Sequence, residues 1–106
     1  MSYEQALILH IKLSDDEFGS EQELNLLMEW EFNLLALVKS KIPGATVDGN
    51  ELGGGFCKFY LYGENIDEVE SLVLPELAKI DVLAGSYYYK RYGDALDENA
   101  KKIHVD

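Results

Sequence analysis

Two stretches of this 106-residue chain repeat apolar side chains every three or four positions, and each lies between stretches that repeat them every second position. A period near 3.6 marks a helix with one buried face and a period of 2 marks a strand, so the order of these runs restricts the fold before any other property is considered. From Ala6 to Leu13, Leu7, Leu9, Ile11 and Leu13 alternate with Ile8, His10 and Lys12, which predicts a first strand. The Ser20-x-x-Glu23 spacing then lets a hydroxyl and a carboxylate satisfy each other's backbone donors at a helix start. Leu24, Leu27, Met28, Leu34, Leu35, Val38 and Ile42 continue the stripe, Trp30 and Phe32 widen it, and Pro43-Gly44 stops it. The first helix is expected near residues 20–41.

Thr46-Val47, Asp48-Gly49-Asn50-Glu51, three glycines and the run Phe56–Tyr62 read as a hairpin, its turn at either Asp48-Gly49 or Gly53–Gly55. Asn65, with Glu68 three residues on, opens a second helix whose inner side is Ile66, Val69, Leu72 or Val73, Leu77 and Ile80. Pro75 removes one helical hydrogen bond there, so this helix either kinks or divides at Leu74. Gly85–Gly93, with Tyr87, Tyr88, Tyr89 and Tyr92, is a final strand of strong β-formers. Residues 94–106 read as a polar C-terminal tail on one domain spanning 1–106.

The order β-α-β-β-α-β is that of a split βαβ arrangement, so the expected class is α+β: a ferredoxin-like two-layer sandwich with both helices on one face of an antiparallel sheet. Spacing does not fix which strands are neighbours. Leu27, Trp30, Phe59, Leu61, Val69 and Leu77 are the expected core. The stretch from Asp48 to Gly63, which holds the DGNELGGG hairpin and FYLYG, together with the second helix and Tyr89-Lys-Arg-Tyr-Gly93, resembles a group of small bacterial single-domain α+β proteins with no activity assigned to the group. The resemblance covers about half the chain and implies this fold and a bacterial source.

Charge narrows the function classes. Twenty Asp and Glu against nine Lys and Arg give a net charge of -11, which disfavours attraction to nucleic-acid phosphates or anionic lipid. No run of about 20 apolar residues suited to a membrane span is present, and the N-terminal segment lacks the basic and apolar regions of a signal peptide. A single cysteine, Cys57, cannot form an intrachain disulfide. The expected compartment is the cytoplasm. His10 and His104 are isolated, and Asp15-Asp16-Glu17 and Asp48-x-Asn50-Glu51 lack the ligand spacing of a calcium loop, so neither metal nor cofactor is expected. Cys57 reads as a small buried hydrophobe, and the three glycines lack the strand-before, helix-after setting of a phosphate loop.

Two surfaces remain. Between Lys12 and Lys39 there is no Lys or Arg, whereas Asp15, Asp16, Glu17, Glu21, Glu23, Glu29 and Glu31 all lie there. As a solvated helix face these acids need no partner. As a docking surface they suit a basic protein, and the most concrete expectation is a non-enzymatic, immunity-type inhibitor of a basic toxin or nuclease. The alternative is a ligand-binding or dimeric regulatory module acting through the sheet, with Phe56, Lys58, Tyr60, Tyr62, Tyr88 and Tyr92 on its face and a homodimer as one outcome. Gly55–Tyr62 has a passing likeness to an RNA-binding sheet motif. It lacks the opening basic residue and the small residue between two aromatics.

Overall fold

The computed structural model describes residues 5–14, 19–80 and 85–91 in full and 101–104 as backbone. Its elements run β1 (Gln5–Lys12), α1 (Glu21–Lys41), β2 (Thr46–Gly53), β3 (Phe56–Gly63), α2 (Ile66–Leu77), β4 (Tyr87–Arg91) and β5 (Lys101–His104). The fold is α+β, with an antiparallel sheet in the order β2-β3-β1-β4-β5.

The period-2 pattern of β1 becomes a two-faced strand at the centre of the sheet. Leu7, Leu9, Ile11 and Leu13 are buried on one face with Cys57, Phe59 and Leu61 of β3, their partners or near partners in register. Leu27, Trp30, Leu34 and Val38 of α1 and Ile66, Val69, Val73 and Leu77 of α2 complete this core. All six expected core residues are in it. Trp30 meets Phe59 edge-on at 5.5 Å and donates its indole N–H to the Glu76 carbonyl at 3.1 Å, so the flanking glutamates do not draw it outward.

Helix α1 starts on the expected capping box, with Ser20 and Glu23 each accepting the other's backbone N–H. The hairpin turn falls on Gly54 and Gly55, whose φ values of +61° and +82° favour glycine. Asp48-Gly49 instead forms a bulge in β2, where the register to β3 slips between Val47 and Asn50. Helix α2 runs through Pro75 as one element ending at Leu77 rather than Ile80, and residues 78–80 continue as a tight turn.

The tail expectation needs correction at one point: Lys101–His104 pairs antiparallel with β4, Tyr88 opposite Ile103. Four residues with two lysines carry too little alternation to reveal a strand, and only the neighbouring edge supplies their partners. The remaining tail residues lie outside the described residues.

Candidate functional site

The β-sheet has one face under α1 and α2, and a second face, called open here, that no helix among the described residues covers. Direct partners in antiparallel strands share a face, so register assigns each side chain. Around β1 the open face forms four rows: Tyr62, Ala6 and Arg91; Tyr60, Ile8 and Tyr89; Lys58, His10 and Tyr87; and Phe56 with Lys12. Glu51 of β2 lies beside Lys58.

Phe56, Lys58, Tyr60 and Tyr62 therefore do share a face, as expected, and all four are half-buried. Tyr88 does not belong with them. It pairs with Leu9, is buried on the helix side at 5% exposure, and donates its hydroxyl to Glu70 at 2.6 Å. Lys90, on the same side, bridges Glu70 at 3.0 Å and Asp67 at 3.1 Å. The tyrosines that β4 gives to the open face are Tyr87 and Tyr89, and Tyr92 lies outside the described residues. Because β4 carries tyrosine at both parities, only its pairing with β1 decides which ones face inward.

Sequence reasoning also missed the centre of this face, His10. Its ring stacks on Tyr87 at 4.4 Å and 17°, meets Tyr89 edge-on at 5.4 Å, and lies 6.2 Å from Phe56. Phe56 and Tyr87, and Tyr87 and Tyr89, make further edge contacts at 5.5 and 5.6 Å. Lys12 closes one end: its ammonium sits 5.5 Å over the Phe56 ring and donates to the Leu13 carbonyl at 3.1 Å. At the other side Tyr60 donates its hydroxyl to Glu51 at 2.9 Å. Burial first, and then this hydrogen bond and charge, hold the Tyr60 hydroxyl above its usual pKa. Among the described residues the face carries these rings, phenolic hydroxyls and the cations Lys12, Lys58 and Arg91. An alternating residue amid strong β-formers was the available signal for His10.

The acidic set is less coherent. At about 100° per residue, Glu21, Glu29, Glu23 and Glu31 fall at about 0°, 80°, 200° and 280° around α1, while its four buried residues span about 180° to 260°. Glu21 and Glu29 are exposed on the outer side. Glu23 is committed to the helix cap and to Ser14, whose hydroxyl and backbone N–H both donate to it. Those bonds, the Ser14 hydroxyl foremost, lower its carboxyl to about 2. Glu31 accepts from the Asn50 amide at 2.9 Å across the β2 bulge. Asp15, Asp16 and Glu17 lie outside the described residues.

Cys57 is fully buried, and burial together with the nearby Glu31 charge pushes its thiol up to about 12. A thiol so disposed is not a nucleophile at neutral pH. Asn50 and Glu51, considered above as cation ligands, are instead held by Glu31 and Tyr60. No helix among the described residues is long and apolar enough to cross a membrane. Comparison with protein-family models, curated proteins and solved structures finds no match.

Proposed function

We propose that this chain is a non-enzymatic binding module acting through the open face of a ferredoxin-like split βαβ sheet. The observation that carries the reading is the continuous set Phe56, His10, Tyr87 and Tyr89, in which each ring has neighbours at 4.4 to 6.2 Å across three strands, with Lys58, Tyr60 and Tyr62 beside them. Tyrosine presents a large, stiff contact area with a polar tip, which suits recognition at low entropic cost. A strand-borne array is also held more firmly than a loop. The split βαβ assignment is supported by the element order together with β1 lying between β3 and β4.

A second reading keeps the acidic side of α1 as a docking surface for a basic toxin or nuclease. One observation favours it: Phe32 is 73% exposed on the outer side of α1, one turn from Glu29, where it would serve as an apolar anchor among acids. It has fewer residues behind it, because Glu23 and Glu31 are already engaged within the chain.

Co-purification from the chain's own lysate separates the two. Tyr60→Ser with Tyr62→Ser is expected to abolish association, while Glu21→Lys with Glu29→Lys and Phe32→Ser leave it intact. The reverse pattern overturns the sheet-face reading in favour of the inhibitor.

A further inference from the structure

We infer that the groove between α1 and the bulge of β2 binds a small primary alkylammonium ligand, its charge held by Glu31 and its apolar stem by the groove walls. The site lies on the helix side of the sheet and does not depend on the sheet-face reading. Met28, Glu31, Phe32 and Leu35 of α1 with Val47 and Gly49 of β2 line a cavity of about 290 Å³. The four α1 residues stand at i, i+3, i+4 and i+7, so they form one stripe of the helix, apolar except at Glu31. Opposite them the register of β2 slips at Asp48-Gly49, and Gly49, at φ +114°, brings no side chain to the wall. Helix and strand therefore leave a groove between them.

The carboxylate is the first argument. Oε1 of Glu31 accepts from the Asn50 amide, whereas Oε2 is buried with no hydrogen-bond partner among the described residues. The Cys57 thiol, close enough to feel this charge, does not donate to it. An unpaired buried carboxylate oxygen is costly, and a positively charged donor is its strongest complement. Glu31 is itself a wall of the cavity, and the last torsion of a glutamate is broad, so a modest rotation brings Oε2 to a ligand entering there.

The walls select the rest of the ligand. Met28, Leu35 and Val47 offer thioether and aliphatic surface to a short apolar stem. Phe32, 73% exposed, adds a ring whose face attracts a cation. Such walls give a hydrated inorganic cation nothing in exchange for its water. No Lys or Arg occurs in sequence between Lys12 and Lys39, and the net charge of -11 raises the local concentration of small cations. The volume is at the lower bound for ligand pockets, so the stem is limited to a few carbons and binding falls in the millimolar range.

The probe is n-butylammonium, with n-butanol as its neutral counterpart, each titrated from about 0.1 to 30 mM at neutral pH and constant ionic strength while backbone amide shifts are read by NMR. Saturable shifts confined to residues 28–35 and 47–50 are expected, with the ammonium binding at least about tenfold more tightly than the alcohol. Glu31→Gln is expected to remove that preference, whereas Glu21→Gln, which removes the same charge from the first turn of α1, changes binding by less than about twofold. Phe32→Ser, at an exposed position, is expected to weaken binding at least about threefold and tests the site even if Glu31→Gln fails to fold. Absence of saturable shifts overturns the inference, as does n-butanol binding as tightly as the ammonium. Equal losses in Glu21→Gln and Glu31→Gln also overturn it, because the attraction is then one of net charge. A lysine-containing tetrapeptide that shifts the same amides at least about tenfold more tightly than n-butylammonium overturns the free amine as occupant and assigns the groove to a basic protein. None of these outcomes involves Tyr60 or Tyr62, so the sheet-face reading stands or falls separately by co-purification.

Discussion

Tyr88 and Tyr89 adjoin in sequence and point to opposite sides of the sheet. Tyr88 is buried with its hydroxyl on Glu70, so Tyr88→Phe leaves that carboxylate one donor short beside Lys90. Hydrogen bonds to charged groups contribute about 1.5–3 kcal/mol, and denaturant unfolding is expected to register a loss in that range. Tyr89→Phe, on the half-buried open face, is expected to change stability by less than about 0.5 kcal/mol. Glu23 gives a pH prediction. Its carboxyl titrates near 2 in the folded chain against an ordinary 4.5, so its contribution is present above about 4.5 and disappears as pH falls toward 2. Glu23→Gln should therefore flatten the fall in stability over that interval and leave its slope near neutrality unchanged, as melting temperatures against pH will show. Cys57, its thiol held near 12, should resist thiol reagents until the chain unfolds.

The elements were legible where one local rule acted alone. Ser20 and Glu23 located the start of α1, and the alternation of Leu7, Leu9 and Ile11 located β1 and its inner face. Where two patterns are equally good, sequence does not decide. Tyr87, Tyr88 and Tyr89 satisfy either parity of β4, and their facing follows from pairing with β1 across most of the chain's length. The β5 strand was hidden for the same reason, being a strand by virtue of its neighbour. Leu61, fully buried beneath the helices and paired with Leu7, belongs to the legible part. Leu61→Ala is expected to cost about 2–5 kcal/mol in denaturant titration, and a cost below about 0.5 kcal/mol would put that face of β3 in solvent. Ser20→Ala removes the α1 cap and should cost about 0.5–2 kcal/mol, without altering binding through the sheet.

At the scale of the whole molecule, the acidic composition pointed to a docking surface more readily than the folded chain does. Composition counts charges without saying where they go. Folding turns Glu23 to its cap and Glu31 to Asn50, while it gathers Lys12, Lys58 and Arg91 beside aromatic rings that lie far apart in sequence. The central claim is that this gathered face is the binding surface. Nitration of tyrosines, mapped by mass spectrometry at low and high chain concentration and again in lysate, tests it most directly. Tyr88 should stay unreactive throughout, and Tyr60, Tyr62, Tyr87 and Tyr89 should react in the dilute chain and become protected together on association. If these four keep their reactivity in the complex while amide hydrogen exchange slows along α1 around Glu29 and Phe32, the binding surface is the acidic helix and the claim is wrong.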